Sequence, residues 1–208
     1  MKNVIRLLMT GILVLSMSTV VFSMGPKPEP PVDITVYFTA EVSYVDDPGA
    51  TLENSIHVGD FITGEYRYNI ETVDSNNIET VGDYQHTESP YGITVNAGGF
   101  VFQTNPDDTE FLLEIVNDHG ATPRDNFLLR SYKNLPLSNE ALVEHISWQL
   151  DDPSCSAISS IDMSASPPVL ADWESTFGLS ITGGKPEVEF PYDQEYFIRA
   201  HVVSIETL

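Results

Sequence analysis

Apolar and polar residues alternate along most of this chain with a period of two. In Asp33–Tyr44, "DITVYFTAEVSY", apolar side chains occupy the even positions and mostly polar ones the odd positions. This period is typical of a strand with one buried and one solvent-facing side. Burial of each large apolar side chain contributes roughly 1.5–3 kcal/mol, and a slip of one residue would expose the whole apolar face. The pattern therefore predicts a long first strand in a fixed register.

The same alternation, or a short apolar run, recurs down the chain between clusters of turn-forming residues such as "DDPGA", "VDSNN" and "TGGKP". About nine strands follow from it, without the strand–helix alternation of a parallel sheet. We therefore predict an all-β, antiparallel β-sandwich of jelly-roll type. The one helical candidate is Ser138–His145. Besides the first strand, the segments predicted as strands are Phe61–Ile70, Tyr91–Val95, Gly99–Gln103, Phe111–Val116, His145–Leu150, Phe177–Thr182 and Tyr196–Ile205.

The stretch Val81–Phe102, "VGDYQHTESPYGITVNAGGFVF", concentrates polar and glycine residues. Its second half has two short β-rich runs joined by "NAGG", where Gly98 and Gly99 supply the positive φ that a tight hairpin needs. We predict a loop leading into a β-hairpin. His86 is interpreted as a loop histidine, because a general base needs a positioned partner and a pocket and the sequence indicates neither.

The first 23 residues have the pattern of a secretory signal peptide. A short basic start with Lys2 and Arg6 precedes an apolar run of about 16 residues, and small or permissive residues follow. The alternative is a retained membrane anchor, although a bilayer span needs roughly 20 residues. We therefore divide the chain into a signal peptide (1–23), a proline-rich spacer (24–32) and one domain (33–208). The expected location is extracellular or periplasmic, with no stable membrane insertion after cleavage.

The chain is strongly acidic, with 31 Asp and Glu against 9 Lys and Arg and a formal charge of −22. Loss of the signal peptide would remove two basic residues and no acidic one, giving −24. Such a surface repels nucleic acid and anionic membranes, so no nucleic-acid partner is expected. The single cysteine, Cys155, permits no internal disulfide and no cysteine-based zinc site.

Paired carboxylates are the chemistry of glycoside hydrolases, which jelly-roll folds often host. In "EFLLEIVND", Glu110 and Glu114 alternate onto one strand face and are the weak catalytic candidates. The cluster Glu-x-Asp-x-x-Glu of laminarinase-type hydrolases, which this stretch faintly resembles, is not reproduced. No nucleophile elbow or phosphate-binding glycine loop is found either. A non-catalytic protein is the favoured interpretation.

The acidic loops also offer the oxygen ligands that calcium prefers. In "ETVDSNNIETVGD" these are Asp74, Asn76, Glu79 and Asp83. The loop lacks the glycine and terminal glutamate of the twelve-residue calcium loop. The cofactor prediction is therefore none, or Ca²⁺ bound by these four residues, and the alternative is a solvated acidic surface.

Binding of a sugar requires exposed aromatic side chains on a polar face. Tyr37 lies among Thr35, Thr39 and Glu41 on the polar side of the first strand, and Trp173 stands in the charged segment "LADWEST". These two are the predicted ligand-binding residues. Trp148 falls on an apolar strand face and is predicted to belong to the core, and singly exposed aromatic residues are common without any ligand.

Six short motifs lie along the chain: Val58–Asp60, Gly64–Tyr68, Asp74–Ser75, Val81–Tyr84, Gly98–Gly99 and Pro167–Trp173. They resemble a recurrent secreted bacterial β-rich domain found in envelope-sorted proteins of the PEP-CTERM type. The resemblance extends over most of residues 33–206 and implies export and a β-fold, but it brings no catalytic residues. The sorting tail of such proteins, a late Pro-Glu-Pro with an apolar span and basic residues, is not found before the final "HVVSIETL".

Together these features predict an exported, non-catalytic β-sandwich module. Its expected partner is a polysaccharide or another envelope protein, and calcium is a candidate stabiliser. The alternatives are a glycoside hydrolase of jelly-roll type and a structural or assembly protein of the cell envelope. A hydrolase would show two carboxylates roughly 5–9.5 Å apart in a cleft, and an assembly protein an apolar patch or an open sheet edge.

Overall fold

The computed structural model describes residues 32–185 and 196–207, except for the side chains of residues 175–177. The predicted signal peptide and most of the spacer lie outside the described residues. In chain order the elements are β1 (Asp33–Asp46), β2 (Phe61–Asn69), β3 (Val81–His86), β4 (Gly92–Ala97), β5 (Phe100–Gln103), β6 (Phe111–His119), β7 (Arg124–Ser131), β8 (Leu142–Asp152), a 3₁₀ turn (Leu170–Asp172), β9 (Ser175–Gly184) and β10 (Tyr196–Thr207).

All ten strands belong to one antiparallel sheet in the order β3-β6-β7-β8-β9-β10-β1-β2-β4-β5. The all-β antiparallel class is therefore confirmed. The architecture differs from the predicted nine-stranded jelly-roll sandwich, because one continuous sheet replaces two facing sheets. Within the described segments no helix is long and apolar enough to cross a membrane.

The sheet curls into a half-barrel with its core on the concave face. Phe38 of β1 and Trp148 of β8 are three strands apart, which is about 14 Å in a flat sheet, yet their ring centroids are 6.1 Å apart. Tyr66 of β2 lies one strand further away and still reaches Trp148 at 5.9 Å. Trp148 and Tyr66 are almost fully buried. The predicted core position of Trp148 is confirmed, and its indole lies at the centre of the curl.

One glycine makes room for this packing. Gly64 of β2 lies directly opposite Phe38 in the register, and a Cβ at Gly64 would overlap the ring of Phe38. The hairpin between β4 and β5 is also as predicted, with φ of +56° at Gly98 and +86° at Gly99.

One predicted loop is a strand, one further strand lies where none was predicted, and the one predicted helix is a turn. Val81–His86 is β3, not a loop; its inward residues are Gly82, Tyr84 and His86, so no aliphatic alternation marks it. Arg124–Ser131 is β7, a strand that the alternation did not predict. The predicted helix Ser138–His145 is wrong, because Glu140 has a φ of +70° and β8 begins at Leu142.

A long connection between β8 and β9 covers part of the concave face. The hydroxyl of Tyr84 in β3 donates to the carbonyl of Ile161 at 2.7 Å, and that of Tyr68 in β2 donates to the carbonyl of Ser164 at 2.6 Å. Burial raises the pKa of Tyr68 to about 12, so its hydroxyl keeps the donated proton at neutral pH. This connection, residues 153–174, is called the cover loop below.

Candidate functional site

Three side chains form a row across the convex face. In the register of the sheet, Tyr37 of β1 lies directly opposite Glu65 of β2 on one side and Glu206 of β10 on the other. Residues paired in this way project from the same face. Tyr37 is half-buried and both glutamates are exposed. The aromatic ring predicted for ligand binding is therefore flanked by two carboxylates.

The row joins two shallow depressions. One, of about 280 Å³, extends from Tyr37 and Glu65 past Arg67, Tyr91 and Gln103. The other, of about 430 Å³, extends from the same two residues past Thr39, Asn96 and Glu206. We call the two together the outer groove. Its lining consists mostly of hydroxyl, amide and carboxylate side chains from β10, β1, β2, β4 and β5.

Arg67 carries an unused donor in the wall of the groove. Its guanidinium lies 3.7 Å from a carboxylate oxygen of Asp33. Its Nε is buried and has no hydrogen-bond partner among the described residues. Buried polar atoms normally have a partner, so this N–H is an unsatisfied donor in the wall of the groove, covered by the surrounding side chains.

The concave face contains a different cavity, of about 320 Å³, beneath the cover loop. Tyr68, Phe127 and Leu113 line it from the sheet, and Trp173 and Asp162 from the loop. Trp173 was predicted as an exposed loop residue for sugar stacking, but only 8% of its surface is exposed and it packs with the core. We call this space the inner cavity.

The structure does not bring the two candidate catalytic carboxylates together. Residues four apart along an extended chain are about 13 Å apart, and Glu110 lies 3.7 Å from the ammonium group of Lys133. Glu114 lies opposite Asp83 of β3. Its pKa is raised, mainly by burial and further by Asp83, while Arg130 acts in the opposite sense.

Three of the four predicted calcium ligands meet, but they are bonded to one another. One oxygen of Asp74 accepts the backbone N–H groups of Asn76 at 2.8 Å and Asp83 at 2.9 Å. The side-chain amide of Asn76 donates to Asp83 at 2.9 Å. Glu79 is exposed and has no part in these contacts. The loop is thus held by internal hydrogen bonds of the kind that Asx turns make.

His86 is a buried connector between strands. Only 3% of its surface is exposed, and its Nε2 accepts the backbone N–H of Asn69 at 3.1 Å. Since Nε2 accepts, the ring proton belongs on Nδ1, which lies 3.1 Å from the carbonyl oxygen of Tyr84. Burial lowers the pKa of His86, in agreement with a neutral imidazole. The prediction of a loop histidine is wrong.

One cluster was not anticipated from the sequence. Ligand atoms of Asp118, Asp125 and Cys155 lie within 4.8 Å of one another. Asp125 is fully buried, and its oxygens accept the backbone N–H groups of Asp118 at 3.1 Å and Ile158 at 3.1 Å. The hydrogen bond of the thiol to Asp118, followed by burial, raises the pKa of Cys155 to about 11. We interpret the cluster as an anchor for the cover loop.

No protein-family model, curated protein or solved structure matches this chain. The resemblance to envelope domains of the PEP-CTERM type therefore stays a prediction.

Proposed function

We propose that this protein is an exported, non-catalytic β-domain that binds a neutral glycan in the outer groove. The observation that carries the proposal is the row Glu65–Tyr37–Glu206 across three adjacent strands. The face of a tyrosine ring offers a flat apolar platform with a polar tip. Carboxylates on both sides accept hydrogen bonds from hydroxyl groups. Together they suit the apolar face and the hydroxyl rim of a pyranose ring.

The charge of the groove favours a neutral sugar over an anionic one. Its charged lining residues are Glu65, Glu206 and Arg67, and the cation of Arg67 is already beside Asp33. The whole chain carries a formal charge of −22, which repels uronic acids and sulfated glycans.

The two glutamates of this row, Glu65 and Glu206, can also be compared with the carboxylate pair of a glycoside hydrolase. Two interstrand spacings separate the backbones of Glu65 and Glu206 by about 9.6 Å, close to the upper limit for an inverting glycosidase. Both side chains are exposed, whereas a general acid of this class is desolvated in its cleft. This difference supports binding without hydrolysis.

The assembly alternative needs an open sheet edge or an apolar patch. Contacts at the edge strands offer it little support: the carbonyl of Asp83 in β3 accepts the N–H of Ser75 at 2.9 Å. At the other edge, the carbonyl of Gln103 in β5 accepts the N–H of Leu135 at 2.9 Å. Another envelope protein is therefore a less favoured partner than a polysaccharide.

Affinity electrophoresis in gels containing neutral polysaccharides tests the proposal. We expect the protein to be retarded by at least one neutral glucan, mannan or galactan, and Tyr37→Ala to weaken the retardation about five- to tenfold, because stacking on an aromatic ring is worth roughly 1–1.4 kcal/mol. Tyr44→Ala is the matched control, since Tyr44 is an exposed tyrosine further along the same strand.

Retention of wild-type mobility in every neutral polysaccharide would contradict the proposal. Equal retardation of Tyr37→Ala and wild type would contradict the assignment of glycan binding to the outer groove. Release of reducing sugar that Glu65→Gln abolishes would favour the hydrolase instead.

A further inference from the structure

The inner cavity is lined by aromatic rings from three separate parts of the chain. Tyr68 belongs to β2, Phe127 to β7 and Trp173 to the cover loop, and all three border the same space of about 320 Å³. All three are buried. A volume at the lower end of the usual range for ligand pockets suits one compact head group with a short substituent.

Every charged residue that lines the inner cavity is acidic. These residues are Asp162 and Asp172, both exposed at the rim, and among the described residues no lysine, arginine or histidine lines the cavity. The other polar lining groups are serine hydroxyls, such as those of Ser159 and Ser164. An anion therefore meets only like charge there, while a cation meets carboxylates at the rim and aromatic side chains inside.

The walls are fixed by hydrogen bonds between the cover loop and the sheet. Tyr68 and Tyr84 donate to the carbonyls of Ser164 at 2.6 Å and Ile161 at 2.7 Å. The buried carboxylate of Asp125 accepts the N–H of Ile158 at 3.1 Å. A site that is already formed loses less conformational freedom on binding, so the cavity is suited to a small ligand of modest contact area.

We propose that the inner cavity binds a small organic cation bearing an alkylated ammonium group. Such a group is weakly hydrated and lacks the full set of N–H donors, so recognition depends on aromatic faces and nearby carboxylates more than on hydrogen bonds. Tyr68, Phe127 and Trp173 supply the aromatic surface, and Asp162 and Asp172 supply the charge. This site is separate from the outer groove, because it lies on the opposite face of the sheet.

Isothermal titration calorimetry with choline as the probe tests this inference. Its neutral isostere, 3,3-dimethylbutan-1-ol, has the same shape without the charge. We expect choline to bind saturably with one site per chain, and the isostere to bind at least about tenfold more weakly, as expected for a desolvated cation against aromatic rings. All titrations are made at the same ionic strength with sodium chloride, because the acidic surface attracts every cation to some degree.

The variant Asp162→Asn/Asp172→Asn removes the carboxylates from the rim. Both side chains are exposed, so the fold should be kept, and we expect choline affinity to fall about tenfold while binding of the isostere is unchanged. Asp107→Asn is the matched control, since it removes a charge from an exposed loop whose residue 107 is not among those that line the cavity. It should bind choline like the wild type.

Each of three results would overturn the inference. Equal binding of choline and its isostere would mean an apolar cavity without cation recognition. Unchanged choline affinity in the double variant, or an equal loss in Asp107→Asn, would mean general attraction to an acidic surface. The absence of a saturable signal up to high millimolar choline would mean that the cavity does not take this class of ligand.

Discussion

The outer groove and the inner cavity lie on opposite faces of the same strands. Arg67 of β2 lines the groove and its neighbour Tyr68 lines the cavity, so one step along the chain passes from one site to the other. The groove is built from side chains whose relative positions follow from strand pairing. The cavity also needs a loop whose contact with Tyr68 spans 96 residues of sequence.

This difference has a consequence for stability. The polar side chains of the groove that project from the convex face, such as those of Tyr37, Glu65 and Glu206, can change without disturbing the fold, because they are exposed or half-buried. The residues of the cavity belong to the core, and changes there alter both the ligand site and the free energy of unfolding. Substitutions on the convex face should therefore change ligand binding alone, whereas substitutions on the concave face should also lower the free energy of unfolding.

The largest expected effect is that of Trp148→Ala. The indole is fully buried and lies 5.8–6.1 Å, between ring centroids, from Phe38, Tyr66 and Phe127. Its removal should lower the free energy of unfolding by about 3–5 kcal/mol. Tyr37→Ala, on the convex face of a nearby strand, should lower it by less than about 1 kcal/mol. Chemical denaturation of both variants measures the difference, and equal losses would contradict the assignment of the two faces.

A smaller effect is expected for Tyr68→Phe. The substitution removes the hydroxyl that donates to the carbonyl of Ser164 and leaves the ring in place. We expect a loss of about 0.5–1.5 kcal/mol and faster hydrogen exchange in the cover loop. Glycan binding in the outer groove should stay at the wild-type level. Loss of glycan binding in Tyr68→Phe would show that the two sites are not independent.

Acidification should reduce stability through the buried histidines. Burial lowers the pKa of His86 and of His145 below the ordinary value of 6.5. Below about pH 6.5 these two histidines therefore bind more protons in the unfolded chain than in the folded one, and their contribution to the free energy of unfolding falls as the pH falls. The raised pKa values of Glu114 and Glu144 act in the opposite sense, so the histidine contribution is isolated by comparing variants. We expect this decline of the histidine contribution in denaturant titrations between pH 7.5 and 5.5.

His86→Gln keeps an acceptor for the N–H of Asn69 and removes the titration, so its stability should depend less steeply on pH. The matched control is His57→Gln, because 69% of the His57 side chain is exposed; its slope should equal that of the wild type. An unchanged slope in His86→Gln would contradict the buried neutral imidazole.

The smallest expected effect is that of calcium. A site filled at 100-fold saturation would add about 2.7 kcal/mol, or roughly 5–11 °C for a chain of this size. Asp74, Asn76 and Asp83 are already bonded to one another, and Oδ1 of Asp83 is buried without a hydrogen-bond partner among the described residues. Because this arrangement offers far fewer than the six to eight free oxygen ligands that calcium takes, we expect calcium after EDTA treatment to shift the melting temperature by less than about 1 °C. Magnesium should produce an equally small shift in the melting temperature. A shift of several degrees with calcium alone would instead support the predicted calcium site.

Much of the fold could be predicted from the sequence, because aliphatic residues mark the inward face of most strands. β3 escaped notice since its inward residues are a glycine, a tyrosine and a histidine. The curl of a single sheet could not be predicted either. The curl depends on contacts between rings on distant strands, such as those of Phe38 and Trp148. The alternation of residues within one strand carries no information on the distance between such strands.

The candidate site was only partly visible. Tyr37 stood out because it is an aromatic residue on a polar strand face, and the structure places it at the centre of the outer groove. Its partners Glu65 and Glu206 could not be found, because strand order and register bring them together. The expectation that Trp173 is exposed is wrong, since the charged residues beside it suggested exposure while the fold buries its ring.

The most direct test is a map of backbone amide shifts by NMR while a neutral oligosaccharide, identified by the electrophoresis, is titrated into the protein. We expect the shifts to cluster on β1, β2 and β10 around Tyr37, Glu65 and Glu206, and to leave the cover loop unchanged. Shifts that cluster in the cover loop, or that spread evenly over the surface, would contradict a glycan site in the outer groove.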